Sequence, residues 1–154
     1  MKRKAIICDI DNVIVDTSHI LKEAEKQPTT AKKWEYFQKH CTDKSLPVNY
    51  EIVNLLKHLN YFGSKREIIF ITARSDVIYG QTRRQLELIF YPTKIKFKLY
   101  MRNGEDGLPA HEVKREIVER LSERYDFEFA IDDELENCKM FKSYNIKTLQ
   151  YLCL

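Results

Sequence analysis

The sequence predicts a three-layer α/β fold with a five-stranded parallel sheet and a small helical cap inserted after the first strand. Three observations predict it. Short apolar runs recur along the chain, as expected of strands buried on both faces. Segments with helical apolar spacing alternate with them, the pattern of β–α–β units. One stretch, residues 17–46, interrupts that alternation.

The first strand is Ala5-Ile6-Ile7-Cys8-Asp9-Ile10 and the second is Glu67-Ile68-Ile69-Phe70-Ile71-Thr72. Lys96-Phe97-Lys98-Leu99-Tyr100-Met101 alternates and predicts a third, more exposed strand. Phe127–Asp132 and Lys147–Leu152 supply the fourth and fifth. Between them, Ile52, Leu55, Leu56 and Leu59 form an apolar helical stripe, with Gly63 as its stop signal. Ser75 and Asp76 are capping candidates for a helix carrying Ile78, Thr82, Leu86, Ile89 and Phe90, which ends before Pro92. Ile117, Val118 and Leu121 mark the next helix, and Leu135, Cys138 and Phe141 the last. The interrupting stretch holds helical segments around Ile20–Ala24 and Trp34–Cys41, with Pro28 between them.

A chain of 154 residues fits one domain with a proper core. A net charge of +3 does not argue for nucleic-acid binding by itself, but it favours the approach of an anionic substrate. No signal peptide is expected, since the apolar run after Met1-Lys2-Arg3-Lys4 breaks at Asp9. No stretch approaches the roughly 18–20 apolar residues of a membrane span. Cys8, Cys41, Cys138 and Cys153 form no C-x-x-C pair, which predicts free thiols in a reducing cytoplasm.

Acidic residues collect at strand ends. Asp9 and Asp11 end the first strand, and Asp132 and Asp133 the fourth. The C-terminal ends of parallel strands form the ligand crevice of an open sheet, so both pairs must lie on that edge. Asp9 and Asp11 share a face if the strand extends that far. One such Asp is readily explained as a loop cap. Two pairs of unpaired carboxylates at buried strand ends are costly unless they lie far apart, some are protonated, or a cation sits among them. Hard oxygen ligands without His or Cys suit magnesium.

Two further features share the edge. Thr72 ends the second strand and is followed by Ala73-Arg74-Ser75-Asp76. A hydroxyl and backbone N–H groups before a helix make an anion cradle, although any helix cap looks similar. Lys114 falls in register with Ile117, Val118 and Leu121, on the stripe that should face the sheet. In the first turn of a helix it is disfavoured by the helix dipole unless an anion pairs with it. The plain alternatives are snorkelling to solvent, or pairing with a carboxylate for stability alone.

Together these residues resemble the haloacid dehalogenase (HAD) superfamily, whose fold is Rossmann-like. Asp9-Ile10-Asp11-Asn12-Val13 matches its D-x-D-x-[TV] motif, Thr72 its second motif, Lys114 its third, and Asp132-Asp133 its fourth. The chain departs at Asn12-Val13, where the family often has Gly-Thr. Within the superfamily it is similar to the 3′-phosphatase domain of phage-type polynucleotide kinases. That likeness lies in Leu99-Tyr100-Met101-Arg102, the acidic Glu105-Asp106, Val113–Ile117, and Ala130–Asp133 with Met140 beyond. No G-x-x-x-x-G-K-[ST] loop for a kinase half is present.

The resemblance implies a Mg2+-dependent phosphomonoesterase. Asp9 would be the nucleophile and Asp11 the acid/base. Asp9, the Asp11 carbonyl, Asp132 and Asp133 would hold the metal, and Thr72, Ala73 and Lys114 the phosphate. Arg74 and Arg102 are candidate substrate contacts, and Asn137 a candidate for orienting the metal's water shell. The substrate would be a DNA or RNA 3′ end, with a nucleotide or another small phosphomonoester as the alternative. Trp34, Tyr36 and Phe37 of the cap either stack a base or pack, and their helical spacing favours packing. A phosphoacceptor receiver domain also combines acids, a Thr and a Lys, but in the opposite order.

Overall fold

The computed structural model of the chain describes residues 1–61, 66–93, 95–104 and 106–152. Its strands are β1 (Arg3–Cys8), β2 (Glu67–Ser75), β3 (Phe97–Arg102), β4 (Tyr125–Asp132) and β5 (Lys147–Gln150). Its helices are α1 (Ser18–Glu25), α2 (Thr30–His40), α3 (Tyr50–Tyr61), α4 (Tyr79–Phe90), α5 (Ala110–Leu121) and α6 (Leu135–Ser143). Gly63, Glu105 and Cys153 lie outside the described residues. No described helix is long and apolar enough to cross a membrane.

All five strands are parallel, in the order β3-β2-β1-β4-β5. The order reverses between β1 and β4, since the chain winds outward through β2 and β3 and then returns. Such a switch point opens a crevice at the carboxyl ends of the two flanking strands. The fold therefore brings the segment after Cys8 and the end of β4 side by side.

Alternating residues of β1 enter two different cores, which is why its apolar run is continuous. Ile6 and Cys8 pack with Ile52, Val53 and Leu56 of α3 and Leu86 and Phe90 of α4. Ala5 and Ile7 pack on the opposite face with Val113, Ile117 and Val118 of α5 and Phe141 of α6. The edge strand β3 has one buried residue, Leu99, in keeping with the more exposed strand its sequence predicts.

Residues 17–46 leave and re-enter the fold at a narrow neck. There the Asp16 N–H donates to the Pro47 carbonyl at 2.9 Å, and Val15 bridges Val48. Helices α1 and α2 share a small cluster of Ile20, Ala24, Phe37 and Cys41, seated on Ile78. Phe37 is a packing residue, while Trp34 lies edge-on to it and stays 46% exposed.

Several boundaries differ from the sequence expectation. β1 ends at Cys8 rather than Ile10, because the N–H groups of Val13, Ile14 and Val15 all turn back to the Ile10 carbonyl. β2 runs on to Ser75, which caps a 3-10 turn (Asp76–Ile78) that precedes α4. Ile78 thus leaves the α4 stripe and supports the insertion. Leu135, at the start of α6, is exposed, and Asn137, Cys138, Met140 and Phe141 form its buried side.

Candidate active site

Three groups form the buried centre. Asp9 stays tied to β4 through its N–H to the Ile131 carbonyl at 2.9 Å, although β1 itself has ended. Its carboxylate faces Lys114, whose Nζ lies 3.0 Å from Asp9 Oδ2 and 2.6 Å from Asp132 Oδ2. Lys114 and Asp132 are essentially inaccessible. Lys114 sits one turn inside α5, not in its first turn, and points at the sheet edge with the apolar stripe. Burial alone would lower its pKa, but Asp132 and Asp9 together raise it and keep it protonated.

Asp132 is fixed on its other oxygen. Asp132 Oδ1 accepts from the Glu134 N–H at 3.1 Å and from Asn137 Nδ2 at 2.9 Å. Asn137 is buried, so it serves the carboxylate rather than solvent. By contrast, Asp9 Oδ1 is buried with no partner among the described residues. A buried carboxylate oxygen without a donor is costly. Burial, reinforced by Asp132, Asp11 and Asp133 and opposed by Lys114, pushes the Asp9 carboxyl well above its ordinary range.

Asp133 completes a group. One carboxylate oxygen each from Asp9, Asp132 and Asp133 lie within 4.8 Å of one another. Burial and then Asp132 raise the Asp133 carboxyl to about 6, against a hydrogen bond from Asn12 that lowers it. That bond runs from Asn12 Nδ2 to Asp133 Oδ2 at 3.3 Å. Against the four carboxylates Asp9, Asp11, Asp132 and Asp133, the described ion pairs supply two cations, Lys114 and Arg74. The all-oxygen donor set, the excess negative charge and the orphaned Asp9 oxygen fit a hard divalent cation.

Asp11 faces elsewhere. With the strand ended at Cys8, Asp9 and Asp11 do not line one strand face. Asp11 meets Arg74, whose Nη2 lies 2.7 Å from Oδ1 and whose Nε lies 3.0 Å from Oδ2. Arg74 Nη1 donates to Gln85 Oε1 at 2.8 Å and to Thr82 Oγ1 at 3.5 Å, and Nη2 also reaches the Cys41 carbonyl at 3.1 Å. These bonds engage all five guanidinium N–H groups, so in this arrangement none is left for a substrate phosphate. The guanidinium is fully buried. It holds Asp11, α4 and the insertion together.

Thr72 is buried and its Oγ1 accepts from the Arg74 N–H at 3.2 Å, which sets the hydroxyl at the strand end. Arg102 Nε donates to the Ala73 carbonyl at 3.0 Å, and Nη1 donates to the Leu108 carbonyl at 2.6 Å. It fastens the loop after β3 to the segment after Thr72. Gly104 makes that close approach feasible: a Cβ there would meet Val77 Cγ2 at 2.9 Å.

The fold thus gathers Asp9 and Asp132 in direct contact with Lys114 and brings an Asp133 oxygen within 4.8 Å of theirs, with Asp11 and Thr72 joined to them through neighbouring backbone and Arg74. Sequence reading missed Gln85 and the Cys41 carbonyl as partners of Arg74, and Asn12 as a partner of Asp133. Only Asn12 left a trace, as a departure from the motif's usual glycine.

The chain matches the family model described as the polynucleotide kinase PNKP phosphatase domain over residues 3–152. No curated protein sequence matches it. Among solved structures it resembles Pnkp1 in a Pnkp1/Rnl/Hen1 complex, with 22% identity and a TM-score of 0.72 over 97% of this chain and 46% of that one. The chain therefore spans about half the length of Pnkp1. It also resembles the class C acid phosphatase from Bacillus anthracis, at 18% identity and TM-score 0.57, covering 97% of this chain and 66% of that one. The third likeness is CbbY from Rhodobacter sphaeroides in complex with phosphate, at 12% identity and TM-score 0.60, covering 99% and 87%. At these identities the solved structures establish the fold.

Proposed function

From a chain that belongs to the polynucleotide kinase PNKP phosphatase domain family, and is thereby a HAD-type phosphatase, we propose a Mg2+-dependent hydrolase of nucleic-acid 3′-phosphate ends that works through an aspartyl-phosphate on Asp9. One observation carries the chemistry. Asp9 is buried, held through Oδ2 by Lys114, and leaves Oδ1 without a donor inside a cluster of carboxylates. That is the expected environment of a carboxylate that shares a metal and attacks phosphorus.

Asp9, Asp132 and Asp133 would hold Mg2+, with the Asp11 carbonyl completing the protein's set. When bound, the ion would offset the charge on the nucleophile and on a phosphate oxygen. The Asp9 carboxylate forms the new P–O bond as the bond to the leaving alcohol breaks, and Asp11 gives that oxygen its proton. Asp11 then takes a proton from a water that attacks the phosphorus, releasing inorganic phosphate and freeing Asp9. Lys114 uses two of its three N–H donors on Asp9 and Asp132, and the third suits a phosphate oxygen. The Thr72 hydroxyl, held as an acceptor by the Arg74 N–H, donates to another. Arg74 acts on Asp11 and not on the phosphate. The helices of residues 17–46 form the cap.

The family, and a Pnkp1 relative whose solved structure is of an RNA repair complex, support a nucleic-acid end as substrate. The test compares Mg2+-dependent release of phosphate from a 3′-phosphorylated oligonucleotide with release from nucleoside monophosphates. Preference for the oligonucleotide is expected. No turnover of it would end the polynucleotide reading and leave a nucleotidase or another small-molecule phosphatase.

A further inference from the structure

Asn12 has φ of 58°, a left-handed conformation that glycine adopts without steric cost and that asparagine tolerates. Glycine would satisfy the turn equally well. The side chain, however, spans two parts of the molecule that the turn does not need. Asn12 Oδ1 accepts from the Thr17 N–H at 3.1 Å and lies 3.5 Å from the Thr17 hydroxyl. Its Nδ2 donates to Asp133 Oδ2 at 3.3 Å. The amide orientation is forced, because a flip would set oxygen against the carboxylate and NH2 against an N–H.

Thr17 is the residue that begins the insertion. It is 1% exposed and its side chain does not cap α1; its hydroxyl turns to Asn12 instead. Leu21 N–H closes the first turn of α1 on the Thr17 carbonyl at 3.0 Å. A single side chain thus joins the Asp11-Asn12 turn, the Asp133 carboxylate and the root of α1.

We propose that Asn12 is a positioning residue that couples Mg2+ binding at Asp133 to the seating of the cap. This inference rests on the metal reading above. One Asp133 oxygen is oriented by Asn12 so that the other is presented to the ion, and a loaded Asp133 in turn fixes Asn12 and Thr17. Coupling of this kind is reciprocal, so whatever the metal does for α1, the seated cap does for metal affinity.

The experiment uses Asn12→Gly, which keeps the backbone conformation and deletes the strap. Calorimetric titration with Mg2+ is expected to show affinity about tenfold weaker than wild type, the scale of losing a residue that orients a ligand. Hydrogen exchange is expected to show Mg2+ protecting the amides of Thr17 and Leu21 in wild type and not in Asn12→Gly. Equal affinity and equal protection in both proteins would overturn the coupling. So would loss of the metal-free thermal transition in Asn12→Gly, which would make Asn12 a folding residue only. If wild type itself takes up no Mg2+, the metal reading fails instead.

Discussion

Arg74 grips Asp11 with two nitrogens, Nη2 at 2.7 Å and Nε at 3.0 Å, while the same guanidinium reaches the Cys41 carbonyl of the insertion at 3.1 Å. Both the proposed acid/base and the cap are therefore referenced to one buried cation. Burial works against its charge, and Asp11, with smaller help from Cys41 and Asp9, more than offsets that, so its pKa is raised and it stays protonated.

The first prediction follows from this geometry. Lysine keeps the charge but not the planar fork, so Arg74→Lys should misplace Asp11 while leaving Asp9, Thr72 and Lys114 in place. We expect kcat to fall about 100-fold with a smaller change in KM, the scale for a displaced catalytic group. Steady-state kinetics on a 3′-phosphorylated oligonucleotide measure it. A change confined to KM would show that Arg74 touches substrate.

Lys114 gives the second. Its ammonium is the one cation within 4 Å of both Asp9 and Asp132 among the described residues. Lys114→Met leaves two buried carboxylates facing each other, a loss of about 3–5 kcal/mol for breaking a buried pair. Thermal melting in EDTA should show a drop of roughly 10 °C, for a chain of this size. Saturating Mg2+ should recover more in the variant than it adds to wild type, since the ion would then be the only counter-charge. Equal gains in the two proteins would argue that the metal lies away from Asp9 and Asp132.

The third concerns Asp9 itself. Asp9→Asn removes the proposed nucleophile, and we expect Mg2+-dependent hydrolysis to fall by on the order of 10⁴-fold or more. Stability should move the other way. Burial already disfavours the Asp9 charge, and Lys114 retains Asp132, so the metal-free variant should melt no lower than wild type. Residual hydrolysis near the wild-type rate would remove Asp9 from its role.

The readability of the sequence had a physical limit. Apolar runs exposed β1, β2 and β4 because burial on both faces leaves a continuous pattern, and the carboxylates followed as residues at strand ends. Periodicity says nothing of which strand lies beside which, so the pairing of β1 with β4 that brings Asp9 to Asp132 became visible only in the sheet. Asp9-Ile10-Asp11 alternates as an extended strand would, and the turn that ends β1 depends on the Ile10 carbonyl collecting three N–H groups. Arg74 was legible only as a candidate substrate contact, because its partners in the fold are distant in sequence: Asp11 by 63 residues, Gln85 by 11 and Cys41 by 33. Lys114 was legible for the opposite reason, since a charge on an apolar stripe is anomalous within its own helix.

The last prediction concerns pH. Burial, then Asp132, raises the Asp133 carboxyl to about 6 from an ordinary 3.8. Asp9 is raised as well, first by burial. A folded state that binds protons more tightly than the unfolded chain gains stability as pH falls through the folded pKa, until the unfolded carboxyls are protonated too. Metal-free protein should therefore gain stability between about pH 6 and pH 4. Carboxyls lowered in the fold, such as Asp16 with its Ser18 hydrogen bonds and Glu128 with Arg66, begin to give up their contribution near their ordinary values of 3.8 and 4.5, so they offset the gain toward the acid end of that window. If Asp133 holds Mg2+ as proposed, the ion needs it ionised, and apparent affinity should weaken as pH drops below about 6. Melting curves from pH 4 to 7.5, with EDTA or with Mg2+, should show the stabilisation by metal shrinking over the range where the metal-free protein strengthens. A metal-free Tm that stays flat from pH 6 to 4, or a metal increment unchanged across it, would mean that Asp133 is already ionised at pH 4 in the folded protein.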